Sequence, residues 1–221
     1  MIDVSLRLPA EALTFLGDTP VVVDGPHSHV PGEAREFCYA LSLSTQSGTH
    51  IQGSHYFRED GKTIDQYDLA RFEGPCHVLD CSGLRVIDRN FLETALPAGD
   101  LSDLALLFHT GFIEILLARR SGRDLRLGEE VLQEKPGLTL EAAGLLLERG
   151  CRLLGIDSVG FELYPPHSHA VNRLLCEHDV LLLENLRHLD RLPKDGGWLE
   201  CFPLPIAGVE GTPCRAIVRV P

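Results

Sequence analysis

Short apolar runs dominate the hydrophobic pattern of this chain. Each run is bounded by Gly, Pro or Asp and is rich in branched side chains, which is typical of β-strands. The runs that predict strands are residues 20–23, 38–43, 77–80, 104–108 and 216–220. A run of good helix formers ended by Gly150 predicts a helix over residues 139–149, with Thr139 as N-cap, and apolar positions at helical spacing predict another over Ala170–Glu177. The pattern predicts a protein of high sheet content with helices between the strands.

Length and charge limit the class of protein. The chain has 221 residues, 44% hydrophobic and 24% charged, which is enough for one sizeable core. No internal repeat, low-complexity tract or long linker divides it, so we expect a single domain over residues 1–221. The net charge of −12 and the pI near 5.2 argue against a nucleic-acid or membrane-surface partner, because both attract basic surfaces. A small molecule is the expected partner.

The cysteines indicate the compartment. Seven cysteines are scattered along the chain without a Cys-x-x-Cys pair. An odd number outside a small secreted scaffold favours reduced thiols. The N-terminus shows no export signal, and no apolar run reaches the length of a membrane span. We therefore expect a cytoplasmic protein.

One segment carries most of the information about chemistry: Ser44-Thr-Gln-Ser-Gly-Thr-His-Ile-Gln-Gly-Ser-His-Tyr-Phe57. It resembles the signature His-x-Gly-Thr-His-x-Asp-x-Pro-x-His-Phe of the cyclase / kynurenine formamidase-like amidohydrolases. The positions that match are Gly48, Thr49, His50 and Phe57. The positions that differ are Gln46, Gln52, Ser54 and Tyr56, which stand where the family has His, Asp, Pro and His.

The resemblance extends along nearly the whole chain from about residue 20. Further segments similar to the family are residues 73–80, 109–112, 138–143, 155–158, 183–186, 202–208 and 212–216. The fold implied by this resemblance is α/β, the swivelling β/β/α cyclase fold, with a β-barrel-like mixed-sheet core flanked by helices. The resemblance also implies a homodimer or homotetramer.

In the family, a divalent metal ion, often Zn or Mn, is held by the first two His and the Asp of the motif. A Glu from a later Glu-Asn-Leu segment completes the ligand set. Of these ligands, only His50 and Glu184 are kept at matching positions. A proton-transfer pair of histidines has become Tyr56 and Asn172. Amides and a phenol are poor ligands for transition metals, so we expect no cofactor, with Zn or Mn on His50 and Glu184 as the alternative.

These replacements suggest a metal-free polar pocket. In this hypothesis Glu184 orients His50 as a general base, and Tyr56 serves as the acid. The substrate oxygens would be bound by Gln46, Gln52 and Asn172. The alternative is that the same residues are the hydrogen-bonded lining of a decayed site.

Other histidines add candidates. His55 lies one position before the family's last motif His, and we include it as a candidate catalytic residue that would meet His50 at one site. His27 and His29, near Pro31-Gly32, are candidate substrate contacts, and so is His109, where the family often has Arg. The two Pro-His-Ser-His segments, residues 26–29 and 166–169, also permit a rival metal site, since His residues two apart on a strand share a face. The simpler alternative is that both segments are short loops with exposed imidazoles.

Three functions follow. The first is a divergent cyclase-family enzyme that acts without metal on a small carbonyl compound by ring closure or opening, dehydration or isomerisation, which is hydrolase or lyase chemistry at a C–N or C–O bond. The second is a metal-dependent amidohydrolase of kynurenine formamidase type with a variant ligand set. The third is a non-catalytic small-molecule-binding homologue.

Overall fold

The computed structural model describes residues 1–15, 17–27, 37–119, 125–164 and 169–221. Its strands are β1 (Ile2–Asp3), β2 (Leu13–Phe15), β3 (Val22–His27), β4 (Cys38–Ser42), β5 (His50–Gln52), β6 (Glu73–Asp80), β7 (Val86–Ile87), β8 (Ala105–His109), β9 (Leu125–Leu127), β10 (Gly137–Leu138), β11 (Leu153–Ile156), β12 (Leu181–Glu184), β13 (Gly197–Glu200), β14 (Gly211–Pro213) and β15 (Ile217–Arg219). Its α-helices are α1 (Arg89–Ala95), α2 (Phe112–Arg119), α3 (Glu129–Leu132), α4 (Leu140–Glu148) and α5 (Ala170–Glu177). Short 3-10 turns occupy Ser54–Tyr56, Ile64–Gln66, Leu69–Arg71 and Leu189–Arg191.

A nine-stranded mixed sheet forms the centre, in the order β1-β15-β13-β6-β8-β11-β12-β5-β14. Neighbours from β6 to β12 run parallel, and the flanking pairs are antiparallel. The sheet curls into a half-barrel whose edges are β1 and β14, with helices on its flank. This confirms the expected α/β fold with a barrel-like mixed sheet.

The central strands are buried on both faces. Leu106 and Phe108 of β8 pack into one hydrophobic cluster together with residues of α4 and α5, whereas Leu107 packs into a second cluster on the opposite face. Alternation of side chains along a strand produces this division. A strand covered on both faces is apolar at every position, which explains the continuous run at 104–108.

Most predicted elements are confirmed. The run at 77–80 lies in β6, the run at 104–108 begins one residue before β8 and ends one residue before the end of that strand, and the run at 216–220 contains β15. The run at 38–43 contains β4, but that at 20–23 begins two residues before β3. Helix α5 has the predicted bounds, and α4 begins after Thr139, whose side chain accepts a hydrogen bond from the Ala142 amide at 3.2 Å.

Helices α1, α2 and α3 and strands β11 and β12 were not among the predicted elements. Strand β12 is a leucine run, and leucine has no β preference that would separate it from a buried helix. None of the helices within the described residues is long and apolar enough to cross a membrane.

Candidate active site

A cavity of about 170 Å³ lies where β5 and β12 face the segment that joins β11 to α5. Twelve of the seventeen residues that line it carry polar or charged side chains, although the surrounding sheet is apolar. The residues that line it are Leu13, Asp18, Gln46, His50, Gln52, Tyr56, Leu127, Lys135, Val159, Gly160, Glu162, Leu163, Tyr164, His169, Asn172, Glu184 and Asn185. The cavity therefore contains six of the candidate residues from the sequence: Gln46, His50, Gln52, Tyr56, Asn172 and Glu184.

Strand pairing brings His50 and Glu184 together although they are distant in the chain. The two residues are register partners in the antiparallel pair of β5 and β12. Directly opposed side chains in such a pair lie on the same face, and Gln52, two residues after His50, shares that face. Nε2 of His50 lies 3.6 Å from Oε2 of Glu184, and Nε2 of Gln52 donates to Oε1 of Glu184 at 3.0 Å.

The imidazole of His50 is held by backbone. Its Nδ1 lies 2.9 Å from the carbonyl oxygen of Gly48, and because a carbonyl only accepts, Nδ1 carries the proton. The Asn185 amide donates to the same oxygen at 2.9 Å, and Gly48 makes the turn with a φ of +63°. Gly48 and Asn185 thus orient the ring, not Glu184 as we had expected. The remaining nitrogen, Nε2, is an unprotonated acceptor.

Burial keeps His50 neutral. The residue is 2% exposed, and this burial lowers the pKa of the imidazole to about 4, although the Gly48 carbonyl and the charge of Glu210 act in the other direction. Because the imidazole is neutral, its 3.6 Å contact with Glu184 is not an ion pair at neutral pH, and this distance is also longer than a hydrogen bond. Nε2 has no hydrogen-bond partner among the described residues.

Glu184 titrates near neutrality. Burial raises the pKa of its carboxyl group to about 7, against the opposing positive charge of Lys135. Gly160 allows the backbone to approach this carboxylate, because a Cβ at Gly160 would lie 3.3 Å from Oε2 of Glu184. A carboxyl group poised near pH 7 in a cavity is suited to acid–base chemistry.

The remaining polar candidates occupy different parts of the wall. Nε2 of Gln46 donates to Oε1 of Glu210 at 2.9 Å, so part of the Gln46 amide is already hydrogen-bonded within the protein. Asn172 and Gln52 each keep a buried side-chain oxygen without a partner among the described residues. Tyr56 is 39% exposed at the rim, and burial together with nearby carboxylates, Glu184 first among them, raises the pKa of its phenol to about 12.

Four other candidates are not brought to this cavity or cannot be placed. His55 lies in a 3-10 turn beside it but does not line it. His109 faces Asp80, with Nδ1 3.7 Å from Oδ1, in a separate groove. His27 is exposed on β3, with Nε2 3.2 Å from Oδ2 of Asp24. His29 lies outside the described residues, as do residues 166–168 of the second Pro-His-Ser-His segment.

The structure adds residues that the sequence did not single out as chemical groups. Lys135 is 5% exposed and Glu162 is 9% exposed, and both line the cavity together with His169. Burial lowers the pKa of Lys135 to about 8, while the charges of Glu184 and then Glu162 act in the other direction. A single Lys carries no sequence signal for burial, because lysines are mostly exposed. Of these three residues, only His169 was singled out from the sequence, as part of the repeated Pro-His-Ser-His motif.

The donor set is a poor match for Zn²⁺ or Mn²⁺. These ions take three or more imidazole, thiolate or carboxylate ligands from a protein, and here the matching positions supply His50 and Glu184. Among the described residues, no group of three His, Cys, Asp or Glu side chains is arranged to hold a metal ion. The ammonium of Lys135 in the same wall adds a positive charge that would repel a dication.

Comparison with known proteins gives the family. The model of the family described as "Putative cyclase" matches residues 2–163. Kynurenine formamidase of Bacillus cereus is 29% identical over 218 residues, covering 99% of this chain and 96% of the relative. The kynurenine formamidase of Bacillus mycoides matches with the same identity and coverage.

Solved structures show the same fold. Isatin hydrolase A from Ralstonia solanacearum superposes with a TM-score of 0.80 at 20% identity, covering 97% of this chain and 89% of that one. A structure described as a potential metal-dependent hydrolase with cyclase activity gives a TM-score of 0.76 at 21% identity, covering 100% of this chain and 98% of that one.

Proposed function

The chain belongs to the cyclase family, and from this membership and the cavity we propose that it is a hydrolase-type enzyme that opens or closes a C–N or C–O bond of a small carbonyl compound without a bound metal ion. The names of its relatives indicate hydrolysis of a formamide and of isatin, a cyclic amide. Small formamides, lactams and lactones are therefore the substrate classes to examine first.

The proposal rests on one observation. The buried lone pair of Nε2 of His50 has no hydrogen-bond partner among the described residues and lies 3.6 Å from Oε2 of Glu184. A water molecule that contacts both atoms would be held and polarised by them. Glu184 is the better proton acceptor near neutral pH, because the pKa of Glu184 is raised to about 7 and that of His50 is lowered to about 4. In this arrangement His50 positions the water and Glu184 takes its proton.

Hydrolysis then moves two protons: one passes from the water to Glu184, and another is given to the leaving atom. The water oxygen bonds to the carbonyl carbon, the bond to the leaving nitrogen or oxygen breaks, and the leaving atom receives a proton. Tyr56 is the candidate acid, because its raised pKa of about 12 keeps the phenol protonated at neutral pH. Ring closure is the reverse of the same sequence.

Two variants test the proposal on a panel of small formamides, lactams including isatin, and lactones. We expect Glu184→Gln to lower kcat/KM by roughly 10²- to 10⁴-fold, the usual contribution of a general base. His50→Gln should also reduce kcat/KM, because the water loses its second contact. In the natural chain kcat/KM should rise with pH through about 7, as Glu184 ionises, and Glu184→Gln should lack this rise.

The matched control is His178→Gln, which removes an exposed histidine at the end of α5. It should retain full activity. If Glu184→Gln and His50→Gln turn over the substrates as fast as this control, the assignment of the pair is wrong.

A metal-dependent amidohydrolase is the second candidate. Its support is the description of a structural relative as a potential metal-dependent hydrolase, together with the unpartnered lone pair of His50 and the carboxylate of Glu184. This candidate requires a third ligand that the matching positions do not supply. Dependence of turnover on metal content separates the two candidates.

A further inference from the structure

Lys135 is a buried cation in the wall of the cavity. It follows α3, and its residue surface is 5% exposed. Lysine is rarely buried without a pairing partner, because removal of an ammonium group from water is costly. A cation in this place therefore needs an explanation.

Its hydrogen-bonding capacity is only partly used. Nζ donates to the carbonyl oxygen of Gly160 at 3.1 Å, and this is its one acceptor among the described residues. An ammonium group has three N–H donors. Glu184 and Glu162 act on Lys135 through their charges, but neither carboxylate forms an ion pair with it within 4.0 Å. Two donors are therefore left for a ligand.

The two carboxylates are engaged elsewhere. Oε1 of Glu162 accepts the amides of Val171 and Asn172, at 2.7 and 3.2 Å, at the start of α5. Oε1 of Glu184 accepts the amide of Gln52. A purely structural lysine would be expected to bind one of these carboxylates directly, as buried ion pairs do.

The cavity has complementary acceptors. Nε2 of His50, Oε1 of Gln52 and Oδ1 of Asn172 are buried without a partner among the described residues. Buried acceptors of this kind are costly unless a ligand or water supplies protons. The wall thus offers a charged donor together with a group of neutral acceptors.

We propose that Lys135 binds and polarises the carbonyl oxygen of the substrate, supplying the positive charge that a divalent ion would supply. The ligand class that fits is a small amide, whose oxygen meets Lys135 and whose N–H groups meet the acceptors of Gln52 and Asn172. This inference concerns the same cavity as the proposed function. It rests on that function, because the proposed function identifies the oxygen bound by Lys135 as that of the reacting carbonyl group.

Binding tests the inference without turnover. The probes are 2-aminobenzamide, which has the carbonyl oxygen and N–H donors, and aniline, which lacks the carbonyl. We expect the natural chain to prefer 2-aminobenzamide, and Lys135→Met to bind it about tenfold more weakly or worse, since a hydrogen bond to a charged donor is lost. Binding of aniline should change little. Calorimetry or competition binding at constant pH gives the dissociation constants of both probes.

Chemical rescue separates a ligand-binding role from a structural one. A melting curve first shows that Lys135→Met is folded, because removal of Lys135 leaves the buried carboxyl group of Glu184 without its neighbouring positive charge. In Lys135→Ala, n-propylammonium should restore preferential binding of 2-aminobenzamide, because it replaces the missing carbons and the ammonium group.

The inference is overturned if the natural chain shows no preference for 2-aminobenzamide over aniline, if Lys135→Met binds both probes as the natural chain does, or if n-propylammonium restores nothing. Failure of the proposed function gives a different result. In that case Lys135→Met still binds 2-aminobenzamide more weakly than the natural chain does, but the natural chain hydrolyses no substrate on the panel.

Discussion

The buried imidazole of His50 makes the free energy of unfolding depend on pH. Its pKa is about 4 in the folded chain and about 6.5 when unfolded, so the unfolded chain takes up this proton first as the pH falls. Stability from this group is therefore complete above pH 6.5 and is lost as the pH falls towards 4. The loss is about 3 kcal/mol, from roughly 1.4 kcal/mol for each pKa unit.

We expect His50→Gln to lack this acid sensitivity. The difference in unfolding free energy between His50→Gln and the natural chain should shift in favour of the variant between pH 6.5 and 4, measured by urea denaturation. Glu184 is present in both proteins, so its opposite effect cancels in the difference. The exposed His178→Gln serves as control, and an equal shift in that variant would contradict the assigned burial effect.

At this scale the sequence predicted the cavity better than its electrostatics. His50, Gln52 and Glu184 were expected at one site, and the pairing of β5 and β12 brings them together. Lys135 was not expected, because the burial of a lone lysine depends on contacts distant in the chain. The prediction that Glu184 orients His50 was also wrong. The orientation of the ring depends on a turn at Gly48, and no residue pattern specifies the direction of the Gly48 carbonyl group.

Helix α5 depends on a remote cap. His169, at its N-cap position, makes no capping hydrogen bond, and the Glu162 carboxylate accepts the first amides of the helix instead. A negative group at a helix N-terminus also interacts favourably with the helix dipole. Since Asn172 lies on the first turn, this cap also positions one wall of the cavity.

We expect Glu162→Ala to destabilise the chain by about 1–2 kcal/mol, the usual cost of losing a helix cap. Glu162→Gln should cost less, because the amide oxygen can still accept both hydrogen bonds. The control is Glu177→Gln at the other end of α5, where removal of a negative charge should be neutral or slightly stabilising. Urea denaturation measures all three, and equal stability of Glu162→Ala and Glu177→Gln would contradict the capping role.

Periodicity predicted elements with a clear pattern and missed those without one. Helices α4 and α5 have apolar positions at helical spacing, and both were predicted. Helix α2 is a nearly continuous apolar run containing Phe112, Ile113 and Ile115, which a strand would also allow. The Asp157 carboxylate accepts the amides of Thr110 and Gly111 just before the helix, a contact from a distant part of the chain that the apolar pattern does not indicate.

On the scale of the whole molecule, the family resemblance predicted the fold and the half-barrel sheet confirms it. The homo-oligomer implied by that resemblance stays a prediction. The arm formed by β3 and β4 exposes Val22, Tyr39 and Leu41, and we expect such an assembly to cover it. The seven cysteines, all within the described residues, form no disulfide, and the cytoplasmic location stays a prediction.

We propose that a buried lysine, a neutral histidine and a carboxyl group near its pKa act here in place of a metal ion, so turnover should persist after metal removal. We would therefore measure turnover of the best substrate by chelator-treated protein, together with its zinc and manganese content. We expect kcat/KM to stay unchanged while the content falls well below one ion per chain. Activity that falls with the metal content and returns on addition of Zn²⁺ or Mn²⁺ would contradict a metal-independent reaction.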